Sequence, residues 1–103
     1  MALAALSPEQ RQVALRKARE ARADRSALLA GLKAGTLTLA DVLGRDDDLA
    51  RKTKVAQVVR AVPGVGKARA AAIMKRAGIH DERRIGGLGA RQREYLLAEL
   101  GGH

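Results

Sequence analysis

Tyr95 is the only aromatic residue in this chain, which has no Phe and no Trp. This absence constrains the fold more than any other feature. Aromatic side chains bury more area than most and dominate typical cores. Without them a core has to be assembled from Leu, Val, Ile and Ala, and those residues fill space best where slim helices pack closely. They are poor material for a deep ligand pocket. Apolar residues make up 47% of the sequence, and many of them are Ala. At 103 residues the chain has room for one domain, with or without an arm.

The residues that are missing also exclude chemistry. The chain has no cysteine, so disulfides, thiolate zinc sites, iron–sulfur clusters and a Cys nucleophile are ruled out. No apolar run approaches the ~20 residues of a membrane span. The opening Met1-Ala2-Leu3-Ala4-Ala5-Leu6 is too short for a signal peptide and has no basic region, so a cytoplasmic location is expected. Asp46-Asp47-Asp48 suggests a metal site, but no Gly and Glu follow at calcium-loop spacing. Carboxylates placed just before a helix stabilise its positive end, and that is the simpler role. His80 and His103 are isolated, so neither a metal nor a cofactor is expected.

Helix punctuation divides the chain. Residues 1–6 read as a flexible tail. Ser7-Pro8-Glu9-Gln10 has a capping Ser, a Pro at the first helical position and a capping-box partner, and it starts a long helix over 7–34 that Gly35 ends. The apolar stripe of this helix is weak until Leu28, Leu29 and Leu32, so its last third should anchor it. The part carrying Arg11, Arg16, Lys17, Arg19, Arg22 and Arg25 should then project as an arm, with Glu20 and Asp24 pairing to neighbours. Arg16, Arg19 and Arg22 are candidates for contact with a polyanion, although a merely solvated helix would show the same pattern. A short helix capped by Thr38 follows and exits at Gly44. Further helices are expected over 49–62, 66–77 and 90–100. No segment alternates as a strand does, so the fold class is all-α, with residues 35–103 forming the body.

The charge is large and uneven. The chain carries 20 basic and 11 acidic residues, a formal net charge of +9. Residues 49–93 contain 12 basic side chains and 2 acidic ones. Solubility does not call for such asymmetry, and a polyanionic partner does. At the centre of this stretch lies Val62-Pro63-Gly64-Val65-Gly66-Lys67-Ala68-Arg69-Ala70. Pro63 closes one helix, the two glycines allow a tight turn, and Gly66-Lys67 opens the next helix. The free N–H groups at that opening can hold a phosphate. The spacing is not that of a nucleotide-binding P-loop, since Ala68 stands where a Mg²⁺-binding hydroxyl would be. Downstream, Arg83-Arg84 precede Gly86-Gly87-Leu88-Gly89, and Arg91 and Arg93 follow. Candidate residues for binding the phosphates of a nucleic acid such as DNA are therefore Pro63, Gly64, Val65, Gly66, Lys67, Arg69, Arg83, Arg84, Arg91 and Arg93.

The pattern P-G-V-G-x-x-x-A resembles helix–hairpin–helix proteins, which grip the nucleic-acid backbone without reading sequence. Ser7-Pro8-Glu9-Gln10-Arg11, the Arg-rich first helix, Lys54-Val55, the hairpin, Ile73-Met74, Gly78-Ile79, Arg83-Arg84 and Gly87-Leu88-Gly89 occur in that order. This series resembles the actinobacterial integration host factor family over nearly the whole chain. The resemblance implies a long helix on a compact helix–two-turn–helix body and duplex DNA binding with little sequence preference. It also implies DNA bending or a change of topology, a part in nucleoid organisation, and service to integrase or recombinase complexes. One position departs from the family's R-R-x-R-G-L-G cluster, where Gly86 stands in place of the third Arg.

Two other classes compete with that reading. The hairpin and Ala77-Gly78-Ile79 also resemble the helix–two-turn–helix protein of the ribosomal small-subunit head, which implies RNA binding. This chain lacks that protein's long basic C-terminal tail, and single-strand readers need aromatic stacking that one Tyr cannot supply. Base chemistry needs a flipped-base pocket and a placed acid or base, for which the sequence offers no constellation. The expectation is a monomeric, non-enzymatic protein of duplex DNA.

Overall fold

A computed structural model describes residues 7–100. The expected tail 1–6 and the glycines that should end the last helix, Gly101 and Gly102, lie outside the described residues. Six α-helices follow one another as α1 (Pro8–Ala34), α2 (Leu39–Leu43), α3 (Asp48–Lys52), α4 (Val55–Ala61), α5 (Gly66–Ala77) and α6 (Ala90–Leu100). A 3-10 turn over Ile85–Gly87 precedes the last. The described residues contain no strand, and the fold is all-α.

The caps act as the sequence suggests. The Ser7 hydroxyl accepts from the Gln10 N–H at 3.1 Å while the Gln10 side chain accepts from the Ser7 N–H at 2.9 Å. Thr38 and Asp41 make the same reciprocal pair at 3.0 and 2.9 Å. That bonding holds the Asp41 carboxyl below its ordinary range. At the start of α3 the outcome differs. Asp47 makes no side-chain cap; both its oxygens instead accept from Arg45 at 2.9 Å.

The core lies where α1, α4, α5 and α6 converge. Leu28 and Leu32 of α1, Val58 and Val59 of α4, Ala70, Ile73 and Met74 of α5, and Leu96 and Leu100 of α6 are all buried in one cluster. The last third of α1 therefore anchors it, and residues 8–24 are exposed on every face. At a rise of ~1.5 Å per residue this exposed stretch gives the molecule its long dimension, 48 Å against 28 and 25 Å. The ion pairs expected along the arm do not form: Glu20 and Asp24 take part in neither of the ion pairs found among the described residues. Tyr95 is half-buried at the edge of the core.

The helix expected over 49–62 is two helices. It breaks at Thr53-Lys54, where the backbone is extended. The cause is tertiary. The Val55 N–H donates to the Arg83 carbonyl and the Ile85 N–H to the Thr53 carbonyl, both at 2.9 Å, which closes an antiparallel bridge between Lys54 and Arg84. Thr53 is fully buried, and its hydroxyl donates to the Leu49 carbonyl at 2.7 Å. A buried hydroxyl needs such a partner.

Candidate nucleic-acid interface

The hairpin between α4 and α5 is built as the glycines suggest. Val62 is extended, Gly64 adopts φ 81°, Val65 tucks into the core, and Gly66 adopts φ 70° as the first residue of α5. These left-handed angles favour glycine. A Cβ at Gly64 or Gly66 would meet no atom within 4 Å, so conformation rather than space demands glycine here. The outer surface of the turn is open.

The start of α5 differs from those of α1 and α2. It has no side-chain cap and no acidic residue in its first turn. The N–H groups of Gly66, Lys67 and Ala68 find no acceptor among the described residues. The positive end of a helix dipole is thus left uncompensated and exposed, with the exposed side chains of Lys67 and Arg69 beside it. Such an end binds phosphate well.

Lys67 also reaches a cleft of about 320 Å³ shared with Lys54, Gln57, Arg60 and the acidic pair Asp81 and Glu82. Within it the Lys54 Nζ lies 2.8 Å from Glu82. Hydrogen bonding and charge from Lys54 hold the Glu82 carboxyl below its ordinary range. Neither Lys54 nor Arg60 is among the DNA-binding candidates drawn from the sequence. The surplus of basic residues over 49–93 is the signal in the sequence that points to them, and the fold brings both into one cleft with Lys67.

The bridge to Lys54 fixes the Arg83-Arg84 pair. The two guanidinium groups take different backbone partners. Arg83 runs over Gly87 and donates from Nη1 to the Gly87 carbonyl at 3.0 Å. The Arg84 Nη1 donates to the Lys52 carbonyl. Both side chains stay exposed, as does Arg91 on α6. Arg93, grouped with them from its sequence position, is half-buried and occupied within the fold. Its Nη1 donates to the Leu43 carbonyl at 2.8 Å and its Nη2 to the Ile85 carbonyl at 3.0 Å. Arg16, Arg19 and Arg22 sit on the exposed arm.

Comparison with known proteins supports the same reading. The family model described as S13-like H2TH domain matches residues 32–100. The integration host factor of Streptomyces coelicolor is 44% identical over 103 residues, covering 98% of this chain and 96% of that protein. The integration host factor of Mycobacterium tuberculosis is also 44% identical, covering 98% of each. A solved structure of sIHF bound to an 8-base-pair palindromic DNA superposes with a TM-score of 0.79 at 40% identity, covering 84% of this chain and 99% of that one. A likeness that runs through the arm as well as the hairpin body is more than a shared H2TH fold explains, and the chain belongs to the actinobacterial integration host factor family.

Proposed function

We propose that this protein is a non-catalytic architectural protein of the nucleoid that holds duplex DNA by its phosphate backbone with little sequence preference. The carrying observation is the start of α5, an exposed helix N-terminus with three unpaired N–H groups, no acid and two flanking cations. In this reading Pro63, Gly64 and Val65 shape the turn and the backbone of Gly66, Lys67 and Ala68 seats one phosphate. Lys67, Arg69, Arg83, Arg84 and Arg91 neutralise its neighbours. Arg93 works from within the fold, holding the turn that carries Arg83 and Arg84.

The arm is a separate unit of the function. Residues 35–103 form the gripping body, while Arg16, Arg19 and Arg22 reach a second stretch of duplex, so that a monomer bends or constrains DNA. The protein then acts in the cytoplasm, in nucleoid organisation and in integrase or recombinase complexes. The solved relative carries a DNA duplex, and that favours this reading. The ribosomal alternative shares the H2TH fold, but the near full-length relatives are integration host factors and do not favour it.

Each phosphate neutralised on duplex DNA should add ~0.9 to the slope of log affinity against log salt. Binding of a labelled duplex, measured across salt and in competition with duplex RNA and single strands, tests the reading. A relaxed plasmid treated with topoisomerase should change linking number as protein is added. Salt-independent binding, or an unchanged affinity after Arg83→Ala with Arg84→Ala, would overturn it.

A further inference from the structure

The hairpin and the arginine pair leave a third basic feature unexplained. The Lys54–Arg84 bridge draws the end of α3 against the 3-10 turn. Between them lies a notch of about 330 Å³ lined by Asp48, Arg51, Lys52, Arg84, Gly86 and Gly87. A Cβ at Gly86 would stand 3.2 Å from the Arg51 Cβ, 3.3 Å from its Nε and 3.3 Å from its carbonyl oxygen. Position 86 thus has no side chain where the side chain of Arg51 passes, and the closeness of Nε puts the head of Arg51 at the turn.

The charge of the notch suits an anion. Arg51, Lys52 and Arg84 take part in neither of the ion pairs among the described residues, which join Arg45 to Asp47 and Lys54 to Glu82. One acid, Asp48, lines the notch against three cations. Like charges held around one hollow repel, and an anion between them relieves the repulsion. Arg84 is already oriented by its bond to the Lys52 carbonyl, which leaves its remaining donors for a ligand.

We infer that this notch is a second phosphate seat for the DNA backbone, with Arg51, laid across Gly86, as a binding residue alongside Lys52 and Arg84. The inference rests on the duplex-binding reading above. It gives Gly86 a part in the site: a side chain there would press on Arg51, whose Cβ, Nε and carbonyl oxygen would have to give way slightly.

The test compares Arg51→Ala with Arg76→Ala, which removes the same charge from an exposed position in the last turn of α5. Both are measured on the full chain with a short labelled duplex over a range of salt, with thermal melting as the check on folding. Arg51→Ala should lower the salt slope by about 0.9, the value for one phosphate contact, while Arg76→Ala leaves the slope near that of the natural protein. Gly86→Ala should weaken binding in the same way, and combining it with Arg51→Ala should add little. The notch is overturned if Arg51→Ala matches Arg76→Ala or if the Gly86→Ala and Arg51→Ala losses add in full. If the natural protein itself shows no salt-dependent binding, the DNA reading fails first and takes the notch with it.

Discussion

Arg93 donates to the carbonyl oxygen of Leu43 at 2.8 Å across 50 positions of sequence, and to Ile85 at 3.0 Å. One guanidinium therefore ties α6 both to the end of α2 and to the turn that presents Arg83 and Arg84. Charge-assisted hydrogen bonds of this kind contribute about 1.5–3 kcal/mol each. Arg93→Ala should lower stability by about 2 kcal/mol, read as a shift in the urea midpoint, while the salt slope of DNA binding by the folded fraction stays the same. A lost slope with unchanged stability would return Arg93 to direct phosphate contact.

The start of α5 leads to a prediction in which stability and function move in opposite directions. Ala68 is exposed in the first turn, where no acid is present. Ala68→Glu puts a carboxylate at the positive end of the helix and should stabilise the fold by about 0.3–1 kcal/mol. The same carboxylate occupies and repels the phosphate position, so DNA affinity should fall sharply. Paired melting and binding measurements check both signs. A variant that is more stable and binds as well as the natural protein would show that this helix end holds no phosphate.

Glu82 lies 2.8 Å from Lys54 in the cleft that Lys67 shares. On the duplex-binding reading, the pair holds back a cation from a phosphate. Glu82→Gln removes the competing charge without changing shape, so duplex affinity should rise and the salt slope should steepen by up to about 0.9, the increment for one further phosphate. A titration by fluorescence anisotropy reads this directly, and an unchanged slope would mean that Lys54 lies off the bound face.

Acid should weaken the fold in a defined window. Hydrogen bonds from Thr38 hold Asp41 below its ordinary value of 3.8, and the contact with Lys54 holds Glu82 below 4.5. Both groups are depressed in the folded state, so their contribution is complete above the unfolded values and is lost as pH falls through the folded ones. The urea midpoint should stay level from neutrality to about pH 4.5 and drop below it. Asp41→Asn should flatten part of that drop. A midpoint that falls before the carboxylates titrate would point to another group.

Particular residues mark how far the sequence could be read. Ser7 with Gln10, Thr38 with Asp41, and Pro63 through Gly66 are local signals, and each acts within a few residues of itself. The break at Thr53-Lys54 was hidden because its cause lies at Arg83 and Ile85, about one third of the chain away. Intrinsic propensity has no access to such a partner. Arg93 and Arg51 were obscured for a related reason: an arginine read from sequence is only a charge, and whether it grips a carbonyl or lies over a glycine depends on what the fold brings beside it.

The arm and its root should separate cleanly under mutation. Leu32 is 1% exposed within the core, whereas Leu15 is 51% exposed on the arm. Leu32→Ala removes packed methyl groups and leaves a cavity, so it should cost about 2–5 kcal/mol. Leu15→Ala removes almost no buried contact and should leave the melting temperature near that of the natural protein. Replacing Arg16, Arg19 and Arg22 together by Ala should also spare the melt, because these side chains are exposed and belong to none of the ion pairs among the described residues. Its effect should appear on long DNA. On the proposed division of labour, in which the arm reaches a second segment, binding to one short duplex should hold close to the natural value while bridging or constraint of plasmid DNA is lost. If the triple variant loses short-duplex binding in step with plasmid constraint, arm and hairpin grip the same stretch of DNA.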